Sequence, residues 1–255
     1  MKAVLLLAAS LLLVFPTVGL TENASLNDVV ETLERPFRAE TPRGEAIQDF
    51  AADFSQLSRL ASLDREQRGH GRVEIRFQHQ AGSSSPLTQF RWEYDQPNHQ
   101  EIVSDGETLW VYMPENNQVI QSTIDTTREA QAEDPMAFLT GLGNLSRDFS
   151  IDWADPNHDG KGNYLLQLRP RRVSALISTM QITVDREAVI DLTRKNLSGQ
   201  RLPIIASSVT DPNGNTTLIE FSQARINRGI SGTSFRFSMP PGVDVVRPTD
   251  QGLGY

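Results

Sequence analysis

From residue 46 onward the chain is dominated by alternation. Val73, Ile75 and Phe77 alternate with Glu74 and Arg76, and Phe90, Trp92 and Tyr94 with Arg91 and Glu93. Leu109, Val111 and Met113 repeat the period, as do Phe235, Phe237 and Met239. A period of two puts one side chain in and the next out, which is the signature of a half-buried strand. Turn-forming clusters separate the runs: Ser104-Asp105-Gly106, Glu115-Asn116-Asn117, Asp155 to Gly162, and Asp211-Pro212-Asn213-Gly214. Turns this short join antiparallel neighbours and leave no room for crossover helices. The pattern predicts a mainly β fold, one long antiparallel sheet of about ten or eleven strands.

Two segments depart from that period. Asn27 to Leu33 places Val29, Val30 and Leu33 on one helical face. Thr126 to Asn144 starts acidic (Glu129, Glu133, Asp134) and turns apolar, with Met136, Leu139, Leu142 and Leu145 stepping by three and Phe138 beside them. Asp134 is suited to cap that helix with Pro135 at its first position, while Gly141 and Gly143 weaken its end. A lone helix inserted in a long sheet belongs across an open sheet face. Trp92, Tyr94, Trp110 and Tyr112 stand on adjacent expected strands, with Phe50, Phe54 and Phe90 nearby. Two readings follow from them: an ordinary packed core, or a face too large for one short helix to fill, which leaves a hollow for an apolar ligand.

The first residues change the compartment. Lys2 precedes an apolar run from Ala3 to Phe15, ended by Pro16 and followed by Thr17-Val18-Gly19. A spanning helix needs about 20 apolar residues, so this shorter run reads as a cleaved secretory signal over residues 1–19. The expected organisation is then a polar segment over 20–45 with a short helix, one domain over 46–246, and a tail over 247–255. The net charge of −8 carries no basic excess and argues against nucleic-acid binding. There is no cysteine, so disulfides, thiol catalysis, thiolate-bound zinc and a lipid anchor on this chain are excluded.

Catalytic motifs are not evident. His70, His79, His99 and His158 show no metal-binding spacing. Asp155-Pro156-Asn157-His158-Asp159-Gly160 begins like a calcium loop, but its twelfth position is Leu166 where a glutamate is required, so a hairpin turn is the better reading. No G-x-S-x-G elbow occurs, and Ser83-Ser84-Ser85 reads as a loop. Arg169-Pro170-Arg171-Arg172 is either a solvated basic loop, the preferred reading, or a docking patch.

The aromatic runs carry a resemblance. Phe90-Arg91-Trp92-Glu93-Tyr94, Pro97, and Ile102-Val103-Ser104-Asp105-Gly106-Glu107-Thr108-Leu109-Trp110-Val111-Tyr112 resemble the core signature of the LolA family. Phe50-Ala51-Ala52-Asp53-Phe54-Ser55-Gln56 is similar to that family's first strand, Pro135-Met136-Ala137-Phe138-Leu139 to its lid helix, and Phe235 to Val243 to its closing strand.

The resemblance implies an unclosed antiparallel β-barrel with a helical lid over an apolar cavity. It further implies a periplasmic carrier that holds the acyl chains of lipoproteins and shuttles them from the inner to the outer membrane. The alternative is a lipid-binding sensor or regulator on the same fold. Neither reading involves an enzyme, a cofactor or a metal. The implied partners are acylated lipoproteins, an inner-membrane ABC-type releasing transporter and an outer-membrane receptor lipoprotein; a monomer is expected.

Carried over by position, Phe50, Phe54, Phe90, Trp92, Ile102 and Trp110 are expected to line the cavity, and Met136, Phe138, Leu139 and Leu142 the lid. The family's best-studied members fasten the lid with an arginine just before a proline. Here Ser85 precedes Pro86, and Arg76 and Arg91 are the candidates to replace it, although neither stands at the matching position.

Overall fold

The computed structural model describes residues 24–78, 87–124 and 141–247. Met136, Phe138, Leu139, His79, Ser85 and Pro86, together with the expected signal segment, lie outside them.

The alternating runs become strands. The first half of the chain is a meander of β1 (Asp49–Leu60), β2 (Arg65–Gln78), β3 (Leu87–Gln96), β4 (Gln100–Ser104), β5 (Thr108–Met113) and β6 (Gln118–Thr123). The second is β7 (Phe149–His158), β8 (Tyr164–Pro170), β9 (Thr179–Val184), β10 (Ile204–Thr210) and β11 (Thr216–Ile226), followed by a short β12 (Asp244–Val246). All twelve form one sheet in the order β12-β6-β5-β4-β3-β2-β1-β11-β10-β9-β8-β7. Two meanders are thus stitched together where β11 pairs with β1. The sheet is unclosed, with β7 and β12 at its edges. One feature differs from an all-antiparallel expectation: β12 runs parallel to β6.

A bulge maintains the inner face at the stitch. Phe50 pairs with Ile226 and Phe54 with Phe221, four residues on one strand against five on the other. The extra residue is absorbed near Gln223, whose φ is 51°. Without it the parity would slip and Phe221 would turn outward.

One apolar cluster gathers inward residues from both meanders, so the sheet curls around it. Its cover consists of α1 (Leu26–Glu34), a 3-10 turn over Leu142–Asn144 that leads into α2 (Leu145–Asp148), and α3 (Arg186–Lys195), which adds Val189. The expected helix near residues 27–33 is therefore present as α1. It begins with a capping box, in which the Ser25 hydroxyl accepts from the Asp28 amide and the Asp28 carboxylate accepts from the Ser25 amide. Helix α3 was not anticipated. Its Asp185 cap, basic last turn and left-handed Asn196 are start and stop signals that were present in the sequence.

The outer face carries its own cover. The Phe235–Phe237–Met239 run, expected as a strand, is a 3-10 turn (Gly232–Phe235) followed by unpaired extended chain. Its period of two survives because it crosses the sheet surface: Phe235 is fully buried, Phe237 half-buried and Met239 exposed.

Candidate functional site

Register decides which aromatic residues share a face. Trp92 pairs with Ile102 and Ile102 with Val111, so those side chains point inward with Leu109 and Met113. Val103 pairs with Trp110, and Glu101 with Tyr112, so Trp110 and Tyr112 point outward. Phe50, Phe54, Phe90, Trp92 and Ile102 therefore share the inner face, while Trp110, placed among them by the resemblance, does not. Its ring stacks on Phe237 at 5.9 Å, and Phe237 also meets Tyr112 at 6.0 Å.

The inner face is a continuous aromatic surface. Phe54 meets Trp92 edge-on at 4.7 Å and Tyr94 at 4.9 Å. Phe221 links Trp92 at 6.2 Å to Phe50 at 6.4 Å, and Phe77 joins Phe50 to Phe37. Such edge contacts add about 0.5–1.5 kcal/mol each beyond the burial of area. Trp92 and Phe50 are almost completely buried and belong to one apolar cluster with Val29, Leu33, Leu142 and Leu145 of the cover.

One end of the face turns polar. The Tyr94 hydroxyl donates to Gln56 Oε1 at 2.8 Å, and Gln56 Nε2 donates to Ser58 Oγ at 3.0 Å. Burial pushes the Tyr94 phenol up to about 12, because its anion has lost water without gaining a cation. Beside it an open pocket of about 240 Å³ is lined by Gln56, Gly69, Tyr94, Gln100 and Met113 among others.

The cover is fastened by a residue the sequence reading missed. Leu142, expected on a lid helix, stands in the 3-10 turn and is buried in the inner cluster, and Leu145 lies beside it. Gly143 passes so close to Phe37 that a Cβ there would stand 2.8 Å from its carbonyl oxygen. Glu34, at the end of α1, is buried; its carboxylate accepts the Ser146 amide and pairs with Arg38 at 2.7 Å. The spacing of Glu34 and Arg38 is that of a helical ion pair, but the grip on Ser146 is invisible without the fold.

Arg76 and Arg91, the candidates for lid fastening, lie on the opposite face. Arg76 and Arg91 belong to the outward parity of β2 and β3, and both bind the C-terminal segment. Arg91 Nε donates to the Ser234 carbonyl at 2.9 Å while its other arm pairs with Glu101 at 2.7 Å. Arg76 stands 5.5 Å over the Phe235 ring and donates to Gln89. Where β11 ends, buried Asp49 accepts the amides of Arg228 and Gly229 and aims the chain onto that face.

The remaining chemistry-bearing residues behave as structure. Asp159 accepts the amides of Lys161 and Asn163, so the segment scanned as a calcium loop is a hairpin turn. His70 and His99 are exposed on the surface. Among the described residues no cluster of histidine and carboxylate has metal-site geometry, and no helix is long and apolar enough to cross a membrane.

The family described as "Outer membrane lipoprotein carrier protein LolA" matches residues 45–238. An outer-membrane lipoprotein carrier protein of Chromobacterium violaceum is 30% identical, over 77% of this chain and 80% of its own. One from Hahella chejuensis is 26% identical, over 79% and 83% respectively. Among solved structures, a LolA superfamily protein of Nitrosomonas europaea is 13% identical with a TM-score of 0.38, covering 83% of this chain and 96% of that one.

Proposed function

The chain belongs to the LolA family of outer membrane lipoprotein carrier proteins, and we propose that it carries lipoproteins across the periplasm with their acyl chains held against the inner face of its sheet. The observation that carries this reading is the continuous aromatic surface from Phe50 through Phe54 to Trp92, roofed by separate short elements rather than by a second sheet. Phe50, Phe54, Phe90, Trp92 and Ile102 are the contact residues in this proposal, and Leu142 belongs to the cover with Met136, Phe138 and Leu139. Trp110, on the outer face, is left out.

Physical chemistry requires little more. Each acyl CH₂ hidden from water contributes about 0.8 kcal/mol, so chains of lipid length do not escape into water and must pass between apolar sites. No nucleophile, cofactor or metal enters this reading. Acyl chains and cover compete for one surface, so cargo displaces the cover and the cover closes behind it. An inner-membrane transporter as donor and an outer-membrane receptor as acceptor are the partners this cycle requires. Secretion through a signal over residues 1–19 completes it, and the motivation is the short apolar run after Lys2.

Phe90→Glu tests the assignment. Phe90 is buried on the inner face, where a carboxylate beside acyl chains is desolvated and costly. The variant, checked for a native circular dichroism spectrum, is expected to lose most of its uptake of a diacylated lipopeptide. Native uptake by the folded variant would remove the inner face from the proposal.

A further inference from the structure

The loop between β8 and β9 is the most exposed apolar feature of the described surface. Val173 is 100% exposed and Leu176 44%. Between them Ser174 is buried, and its hydroxyl accepts the amides of Leu176 and Ile177. Ile177 anchors the loop in the core, and the Ser178 amide donates to the Thr210 carbonyl. The loop is thus a built turn that holds two aliphatic side chains in water, where an unconstrained loop would fold them back onto the protein.

Its charge is opposite to that of the molecule. From Arg169 to Ser178 the chain carries Arg169, Arg171 and Arg172 and no carboxylate, with Arg169 in an exposed pair with Asp152 of β7 at 3.5 Å, while the protein as a whole is at −8. The loop also touches the cover of the inner face. The Arg171 amide donates to the Asp148 carbonyl and its Nε to the Ser146 carbonyl, and the Ser146 amide is the group that Glu34 grips. The tip therefore projects from the rim beside α2.

We infer that this loop is a membrane-contact element that seats the protein on an anionic phospholipid surface, with Val173 and Leu176 entering the headgroup layer and the arginines at its base facing the phosphates. Apolar tips with basic flanks match that interface: aliphatic groups partition into it, and long cationic side chains reach the phosphates from its edge. Each arginine held near an anionic surface contributes about fivefold to partition. The negative body is repelled by the same surface, so attraction confined to the loop fixes one orientation, with the rim at α2 toward the bilayer. The purpose rests on the carrier reading, because a rim held against lipid lets acyl chains cross without meeting water; the contact itself does not rest on it.

The full chain, freed of its signal segment, is tested by flotation with vesicles of phosphatidylethanolamine and phosphatidylglycerol and with vesicles of phosphatidylcholine. The protein is expected to float with the anionic vesicles, less so as salt rises, and not with the neutral ones. Val173→Asp with Leu176→Asp removes the tip, and because both residues are exposed the fold is retained. This double variant is expected to lose tenfold or more of the bound fraction while taking up diacylated lipopeptide from detergent solution like the parent. No flotation of the parent, or equal flotation of the variant, overturns the proposal. Self-association that the variant abolishes, without flotation, also overturns it and makes the loop a contact between copies. Failure of lipopeptide uptake by the parent, with flotation intact, strikes the carrier reading and leaves the loop standing.

Discussion

The two faces of this sheet are covered in different ways. On the outer face a single stretch of chain, residues 230–243, is tied down by directional bonds. Arg91 donates to the Ser234 carbonyl, Asn117 to the Gly242 carbonyl, and β12 adds a parallel ladder to β6. Phe235 is buried beneath it without remaining exposure. On the inner face the cover is made of separate pieces, α1 and the 142–148 segment, whose Val29, Leu33, Leu142 and Leu145 join the apolar cluster, and the second piece is also held by Arg171 at the Ser146 and Asp148 carbonyls. Glu34 supplies a polar tie between those two pieces. Apolar contact is non-directional and is replaced at little cost by another apolar body, whereas a carbonyl stripped of its donor is left unsatisfied. The outer cover is held by bonds that are costly to break; under the proposed function the inner one is the cover that yields to an acyl chain.

The largest expected effect lies on the outer face. Phe235→Ala leaves a cavity under the strap and is expected to cost about 3–5 kcal/mol in denaturant unfolding. Lipopeptide uptake by the molecules that remain folded should not change. A loss of uptake at full stability would show that the faces are not independent.

The next effect is in the polar end of the inner face. Tyr94 in the folded protein holds its proton to about 12, while the unfolded phenol releases it near pH 10. Unfolding above pH 10 therefore releases a proton, and alkali favours the unfolded chain. The contribution is complete below pH 10 and is lost as pH rises toward 12, by about 2 kcal/mol. Tyr94→Phe should flatten that fall relative to the parent in melts taken across this range; an identical alkaline slope would place Tyr94 in water.

The smallest effect belongs to the inner cover. Glu34→Ala removes both the acceptor of the Ser146 amide and the charge paired with Arg38, and is expected to cost about 1–2 kcal/mol. Amide hydrogen exchange over residues 141–148 should quicken while β1 and β2 stay protected. Unchanged protection of 141–148 would mean that Glu34 is not its fastening.

Much of this architecture was legible in the chain because it is local. A period of two marks β2, β3 and β5 wherever they end up, and the Ser25 and Asp28 pair starts α1 with atoms three residues apart. The order of the aromatic motifs was enough for the family. Helix α3 also carried its signals, in Asp185 and Asn196, but its run of Arg186, Glu187, Asp191 and Lys195 hides a narrow apolar stripe.

Parity was half legible. The alternation in β5 separates Leu109 and Val111 from Trp110 and Tyr112, yet nothing within the strand says which set faces the core. That is decided by pairing across β4, where Val103 meets Trp110, and by the return of residues 235–237 over the outer face. The roles of Arg76, Arg91 and Glu34 were beyond the sequence for the same reason. Arg91 lies 143 positions from Ser234, and Glu34 lies 112 from Ser146. Most strands, the α1 cap and the family follow from residues close together in the chain, the exception being the 235–239 run, which crosses a sheet face instead of pairing; which face each aromatic residue serves and which cover is fastened depend on groups that only folding brings within a hydrogen bond of one another.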